Sequence, residues 1–251
     1  MFFLFTTILV LITIFEYNLI KTLTPEGRNY VVSLHNDYRS QLTQGKSANL
    51  SGENMPTGKN IKQMSYSVDI ENIAQQWADK CTYSHSGIYV YGECFSAFPA
   101  EYNETTGLYN AISGWWSELV FKGALGPEGN NTWIPFNGAQ NGRGVGHWTQ
   151  LAWWNTIRVG CGLARCDRYK TYIVCNYDPV YVFLELMWFG YSFFSHALFP
   201  LSIIILLLFF PVTYQSIQLS GNVITLGVYE IGTPCSGCPD KCNSTNKLCL
   251  N

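Results

Sequence analysis

Cysteine supplies most of the reactive side chains in this chain, and spacing decides what those thiols can do. Nine cysteines occur in 251 residues. Cys161, Cys166 and Cys175 form one group and Cys235, Cys238, Cys242 and Cys249 another, a distribution that suggests structural bridges rather than reactive thiols. Cys94 is the odd one, directly after Glu93. A free thiol there could be a nucleophile or a soft metal ligand. A small buried hydrophobe is the more frequent fate of a lone cysteine. No serine stands in a G-x-S-x-G elbow. Metal-dependent hydrolysis normally wants three protein ligands and a base, and nucleophilic catalysis wants an activated Ser or Cys. Catalysis is therefore hard to argue from these residues, whereas bridges are easy.

Bridges need an oxidising compartment, and other signals agree. The chain opens with an uncharged apolar run from Phe2 to Phe15, followed by Glu16 and Lys21. That run is short of the roughly 20 residues of a bilayer span and reads as a secretory signal over residues 1–20, although no small-x-small cleavage site marks its end. An uncleaved N-terminal anchor is the alternative. Sequons at Asn49, Asn103, Asn130 and Asn243 are individually weak glycosylation signals, and together with the leader they favour the secretory lumen. The formal net charge is −2 with 13% charged residues and no Lys/Arg run. Nothing in that balance calls for a nucleic acid or an anionic membrane surface as partner.

The elements that must hold these residues begin with a helix over "TPEGRNYVVSLHNDYRSQLTQG", with Thr24 as N-cap, Pro25 in the first turn and Gly45 past the end. Val31, Leu34, Tyr38 and Leu42 give it one apolar stripe. "SVDIENIAQQWADKC" predicts a second helix capped by Ser67, with the stripe Ile70, Ile73, Ala74, Trp77 and Cys81. "YNAISGWWSELVFK" carries a third. Polar residues 46–60 read as loop, and the Gly/Asn-rich stretch 123–146 as a long loop. "VGCGLARCDRYKTYIVCNY" reads as two short strands joined by the charged turn Asp167 to Lys170. Helices first and strands late indicate an α+β layer structure.

Four ordered motifs then point to a family. "LHNDYR" (34–39), "CTYSHS" (81–86), "GHWTQLAWWNT" (146–156) and "YIVCNYDP" (172–179) resemble, in order, the signatures of the CAP superfamily of cysteine-rich secretory proteins, venom allergens and plant pathogenesis-related proteins. "GVYEIGTPCSGCPDKCNSTNKLC" (227–249) is similar to the cysteine-rich hinge that follows the CAP domain in helminth venom allergen-like proteins. The resemblance implies a three-layer α-β-α sandwich over residues 24–179, with the end of the domain and a small disulfide-rich hinge over 219–251. It implies bridges Cys81–Cys166, Cys161–Cys175, Cys235–Cys242 and Cys238–Cys249, leaving Cys94 free at a position where the family usually has Asn.

The same resemblance implies a cleft lined by His85, Glu93, Glu118 and His147. Two imidazoles with nearby carboxylates can hold a divalent cation such as Zn²⁺ with open coordination positions, though two protein nitrogens alone make a weak site. Taken singly, a His beside Trp148 is usually a satisfied core histidine, and a Glu after Gly usually surface. The implied role is binding of a lipid or sterol, or of an extracellular target protein. A metal-dependent or thiol hydrolase is the alternative, and a membrane-tethered CAP protein a third. Aromatic residues make up 16% of the chain, and Trp77, Trp115, Trp116, Trp148, Trp153 and Trp154 gather around the motifs. Most must be core, and a few bordering a cleft would suit an apolar ligand.

One stretch breaks the pattern. Residues 180–218 are an apolar insert containing "LSIIILLLFF", and the family's second signature resumes only at "SGNV" (220–223). Three origins compete. A membrane span over 182–213 fits the apolar length, but a single crossing would put the two cysteine groups in different compartments. A folded hydrophobic hairpin would expose a large apolar patch. A retained intron translated in frame is the favoured reading, since Val180-Tyr181 codons are compatible with a splice donor and Gln218 with an acceptor. Removing 180–218 leaves "CNYDPLSGNV".

Overall fold

The computed structural model describes residues 22–179 and 227–251. The leader of residues 1–20, the insert 180–218 and "SGNV" at 220–223 lie outside the described residues.

Helix α1 spans Pro25–Thr43, and Thr24 Oγ1 accepts the Gly27 N–H at 3.0 Å as its cap. Val31 and Leu42 are buried, whereas Leu34 and Tyr38 are only half-buried at the rim of the core. The remainder of the inward face is polar: His35, Asn36 and Arg39 are all buried. Each is satisfied there. Asn36 exchanges two bonds with the Met64 backbone, at 2.9 and 2.8 Å. His35 Nδ1 donates to Val31 O at 2.7 Å, so its Nε2 accepts the Tyr177 hydroxyl at 3.1 Å.

After strand β1 (Ser65–Tyr66), helix α2 covers Val68–Ala78 with Ser67 capping the Ile70 N–H. Cys81 does not continue the helical stripe; it lies beyond the end of α2 with φ of 53°. The buried face of α2 is Ile70, Glu71, Ala74, Gln75 and Ala78, with Ile73 and Trp77 half-buried. Polar side chains win two of these places because each has partners. Glu71 takes the Arg28 guanidinium at 2.7 and 3.0 Å and the Leu23 N–H at 3.1 Å. Gln75 bonds both backbone groups of Leu163.

Strand β2 (Gly92–Phe98) precedes helix α3 (Glu104–Lys122), which begins before "YNAISG" because Asn103 Oδ1 caps the Thr106 N–H at 2.8 Å. The stretch expected as loop contains β3 (Trp133–Pro135) and a short helix α4 (Gly138–Gly142). Helix α5 (Gly146–Ala152) is followed by β4 (Arg158–Ala164), β5 (Thr171–Asp178), β6 (Gly227–Glu230) and a 3₁₀ turn at Pro239–Lys241.

The main sheet has the order β1-β4-β5-β2, parallel between β1 and β4 and antiparallel elsewhere. Helix α2 covers one face, and α1, α3 and α5 pack on the other, giving the α-β-α sandwich. Alternation in β4 explains the intimacy of α2. Gly160 and Gly162 face that helix, where a Cβ would stand 2.2 Å from Glu71 N and 2.5 Å from Gln75 Cα. Cys161 and Leu163, which alternate with them, join the larger core on the opposite face.

Four disulfides join Cys81–Cys166, Cys161–Cys175, Cys235–Cys242 and Cys238–Cys249. The C-terminal pair does not hang free as a hinge. Cys249 exchanges backbone bonds with Ile61 and Gln63, Ile231 bridges Gly58, and β6 pairs with β3, with Val228 and Tyr229 fully buried. Chain from both sides of 180–226 therefore builds one body.

Two outcomes are expected. Burial lowers the His35 pKa from 6.5 to about 4, so the folded protein keeps this ring neutral while the unfolded chain takes up a proton below 6.5. Stability from this group is complete above pH 6.5 and is lost as pH falls towards 4, by about 3 kcal/mol. Urea titrations across that window should show the decline, and His35→Gln should flatten it; an unchanged slope in the variant would assign the decline elsewhere. Secondly, a chain lacking 180–218 should be secreted as a soluble monomer carrying all four bridges, because residues 219–226 still lead into β6. The full chain should be retained and aggregated. Secretion of the full chain with loss of the shortened one would reverse this reading.

Candidate functional site

Two His–Glu pairs are built from different layers. His85 lies in the loop after α2, and Glu93 is the second residue of β2. His85 donates its Nδ1–H to Glu93 Oε1 at 2.9 Å, and the Ser86 N–H donates to the same oxygen at 2.9 Å. Phe95, two residues along the strand on the same face, meets the imidazole edge-on at 4.9 Å. Burial alone would raise the Glu93 carboxyl, but the bonds from His85 and Ser86 outweigh it and hold the group below its ordinary value. Glu93 Oε2 is buried and has no hydrogen-bond partner among the described residues.

The second pair sits at the start of α5. This helix has no side-chain cap from its own N-terminal segment. Glu118 of α3 replaces one: its Oε2 accepts the N–H groups of His147 at 2.9 Å and Trp148 at 3.0 Å. Its Oε1 accepts the His147 Nδ1–H at 2.9 Å and Lys122 Nζ at 2.8 Å. Burial would raise this carboxyl too, and the His147, Lys122 and backbone bonds more than reverse it. The face of the His147 ring stacks on Trp115 with centroids 5.9 Å apart. In both pairs Nδ1 is committed to a carboxylate, so a ligand would meet the ring at Nε2.

Both pairs lie near β2, since the charges of Glu118 and Glu93 both act on Cys94. Helix α5 packs on that strand so closely that a Cβ on Gly92 would stand 2.1 Å from Gln150 Oε1. Between them the Cys94 thiol is 1% exposed. Burial, then the charges of Glu118 and Glu93, push its pKa well up. A thiol held protonated and covered cannot serve as an external nucleophile. Among the described residues no group of three or more His, Cys, Asp and Glu side chains is arranged to hold a metal ion.

The remaining sequence-derived positions divide by exposure. Asn103 and Asn130 are exposed, and Asn103 spends only its oxygen, on the α3 cap. Asn49 Nδ2 donates to Ala124 O at 2.7 Å and Asn243 Nδ2 to Gln63 Oε1 at 3.2 Å, both on half-buried side chains. Trp115, Trp116, Trp148 and Trp153 are buried, whereas Trp77 and Trp154 are half-buried. The hydrophobics left exposed near His85 are Tyr83, within "CTYSHS", and Ile88, Tyr89 and Val90, on the loop just after that motif. No helix among the described residues is long and apolar enough to cross a membrane.

Comparisons with known proteins agree with this architecture. Cysteine-rich secretory protein 2 of Homo sapiens is 28% identical over 229 residues, covering 88% of this chain and 68% of that protein. Venom allergen 5 of Vespula maculifrons is 26% identical over 162 residues, 62% of this chain and 76% of that protein. The crystal structure of NaASP2 with Zn²⁺ superposes with a TM-score of 0.68 at 25% identity, covering 91% of this chain and 97% of that one. The description of the Cysteine-rich secretory protein family, CAP, matches residues 32–177, which is more than half of the chain. With the sandwich, the paired His–Glu groups and the disulfide-linked tail in place, the chain belongs to the CAP family of cysteine-rich secretory proteins and venom allergens.

Proposed function

We propose that this is a secreted venom allergen-like protein that acts by binding rather than by catalysis. The observation that carries the reading is the commitment of Nδ1 in both His85 and His147 to a buried carboxylate. Such an arrangement fixes the tautomer and turns Nε2 outward as a ligand atom. Four bridges and the names of the relatives support an extracellular setting.

These donors amount to a two-nitrogen set for a weak Zn²⁺ site, since no group of three or more ligands is assembled among the described residues. His85 and His147 would supply the two nitrogens, and Glu93 and Glu118 would orient them, with the orphaned Glu93 Oε2 adding negative charge nearby. A bound cation would offer open coordination positions to an oxygen of a ligand. A hydrolase is less well supported, since the carboxylates are consumed by their own histidines and the free thiol is covered. Tyr83, Ile88, Tyr89 and Val90, beside the His85 pair, would take the apolar part of a lipid, a sterol or a protein partner. Asn103 and Asn130 are the sequons best exposed for glycans.

Calorimetry should give a single weak Zn²⁺ event that disappears in His85→Ala and in His147→Ala, with both variants still folded by circular dichroism. Glu118→Gln keeps both nitrogens but loosens one, and should weaken the affinity by about 10- to 100-fold. Undiminished Zn²⁺ affinity in the double alanine variant would remove the paired histidines from the site. Saturable sterol or fatty-acid binding is expected from the purified chain lacking 180–218, and metal-dependent peptide hydrolysis without such binding would replace the binding reading with an enzymatic one.

A further inference from the structure

A row of sulfur crosses the middle of the main sheet. Cys94 on β2 stands opposite Cys175 on β5, and Cys175 stands opposite Cys161 on β4. Directly opposed residues on adjacent strands point to the same face. All three belong to the core beneath α1, α3 and α5. Two are joined, with the Cα atoms of Cys161 and Cys175 4.1 Å apart, and Cys94 is a free buried thiol.

The register also says how far Cys94 is from a bridge. Opposed pairs in antiparallel ladders alternate between narrow ones of about 4.5 Å and wide ones of about 5.5 Å between Cα atoms. The separation of Cys161 and Cys175 marks a narrow pair. The N–H and C=O of one residue turn to the same neighbour, so Cys175 aims both at β2 and forms a wide pair with Cys94. A spacing of about 5.5 Å is well within what a disulfide spans. Closing it draws the two Cβ atoms, about 5.5 Å apart in a wide pair, together to about 4.5 Å or less, an approach that β2 makes as an edge strand.

The thiol has a polar neighbour on the same face. His35 Nδ1 donates to Val31 O, so Nε2 accepts from the Tyr177 hydroxyl, and Tyr177 in turn interacts with the Cys94 thiol. Cys94 thus adjoins the Tyr177–His35 pair, with its sulfur in the cysteine row.

We propose that Cys94 is a second disulfide partner for Cys175, so that the sheet can be stapled across either β4–β5 or β2–β5. The two forms interconvert by thiol–disulfide exchange. The Cys94 thiolate attacks Cys175 Sγ, the Cys161–Cys175 bond breaks, and Cys161 leaves as a thiolate that takes up the proton Cys94 released. No electrons are gained or lost, and one thiol remains in the row throughout. The alternative staple fixes the edge strand that carries Glu93 to the sheet interior. Because the row is covered in the folded protein, the choice between rungs is made while the core is still open.

The test begins with Cys161→Ala. Of the nine cysteines, wild type has one outside a bridge. If Cys94 is a partner, denatured Cys161→Ala protein contains no titratable thiol, and non-reducing mass spectrometry finds a Cys94–Cys175 peptide pair. Trypsin with a Glu-specific protease separates Cys81, Cys94, Cys161, Cys166 and Cys175 onto different peptides. Two free thiols at Cys94 and Cys175 with the other bridges intact would overturn the proposal, as would a dimer linked through Cys175. Should Cys161→Ala not accumulate, reduced wild-type protein is refolded in a glutathione buffer and alkylated at intervals. A fraction with Cys161 alkylated and Cys94 joined to Cys175 is expected; alkylation of Cys94 alone at every time point among the bridged species would overturn it.

Discussion

The guanidinium of Arg39 holds the site-bearing half of the molecule together. It is completely buried, pairs with no carboxylate among the described residues, and is surrounded instead by five backbone carbonyls: Lys62, Leu151, Trp153, Trp154 and Thr156. Burial lowers its pKa only to about 9, so it remains a cation at neutral pH. A buried cation must be compensated, and here the compensation is the set of carbonyls left over where α5 ends and the chain turns towards β4. Positive charge at a helix C-terminus is favourable in its own right. Arg39 thereby joins α1, the segment before β1 and the end of α5 at one point. Glu118 holds the other end of α5. A helix of seven residues is too short to persist alone, and this one is fixed at both termini by charged groups from other elements. The position of His147 follows from that double anchorage.

The same logic explains what could be read from the sequence. "LHNDYR" and "GHWTQ" were visible as motifs because the residues that anchor α5 and form its pair are chemically distinctive. Their reason was not visible. Of the stripe Val31, Leu34, Tyr38 and Leu42, only Val31 and Leu42 lie in the buried face of α1, because an apolar periodicity cannot count His35, Asn36 and Arg39, whose burial depends on polar partners elsewhere in the chain. Glu71 and Gln75 in α2 are the same case. Strand β2 was missed because "GECFSAF" is short of branched apolar residues. Its identity comes from seven register partners on β5. The β3–β6 pair joins segments with most of the second half of the chain between them, and nothing local in "WIP" or "GVYE" announces it. The tail reads as a hinge by composition, yet its bridge between Cys238 and Cys249 secures a segment that pairs with Ile61 and Gln63.

Electrostatics then separate the site from the core. Glu93 and Glu118 are kept ionised against burial by donors aimed at them, which is a costly arrangement justified only where orientation matters. Burial first, and then the charges of Glu118 and Glu93, push the Cys94 thiol up and keep it neutral. Cys94 puts a small apolar side chain within reach of the charges of two carboxylates. Such a side chain suits a buried position. It also completes the row with Cys161 and Cys175, a consequence of strand register that composition does not reveal.

Register also constrains the stretch outside the described residues. Asp178 ends β5 in the main sheet beside Arg158, while Gly227 opens β6 against Pro135. Both flanks are thus pinned to one folded body, and the tail beyond β6 is bridged by cysteines that need the same oxidising compartment as Cys81–Cys166 and Cys161–Cys175. A chain that crossed a bilayer once between them would have to break β3–β6, the contact of Ile231 with Gly58 and the bonds of Cys249 to Ile61 and Gln63. Losing that many buried backbone bonds is prohibitive for a domain whose whole stability is on the order of 10 kcal/mol. Asp178 and Gly227, fixed in one body, therefore stand on the same side of any membrane.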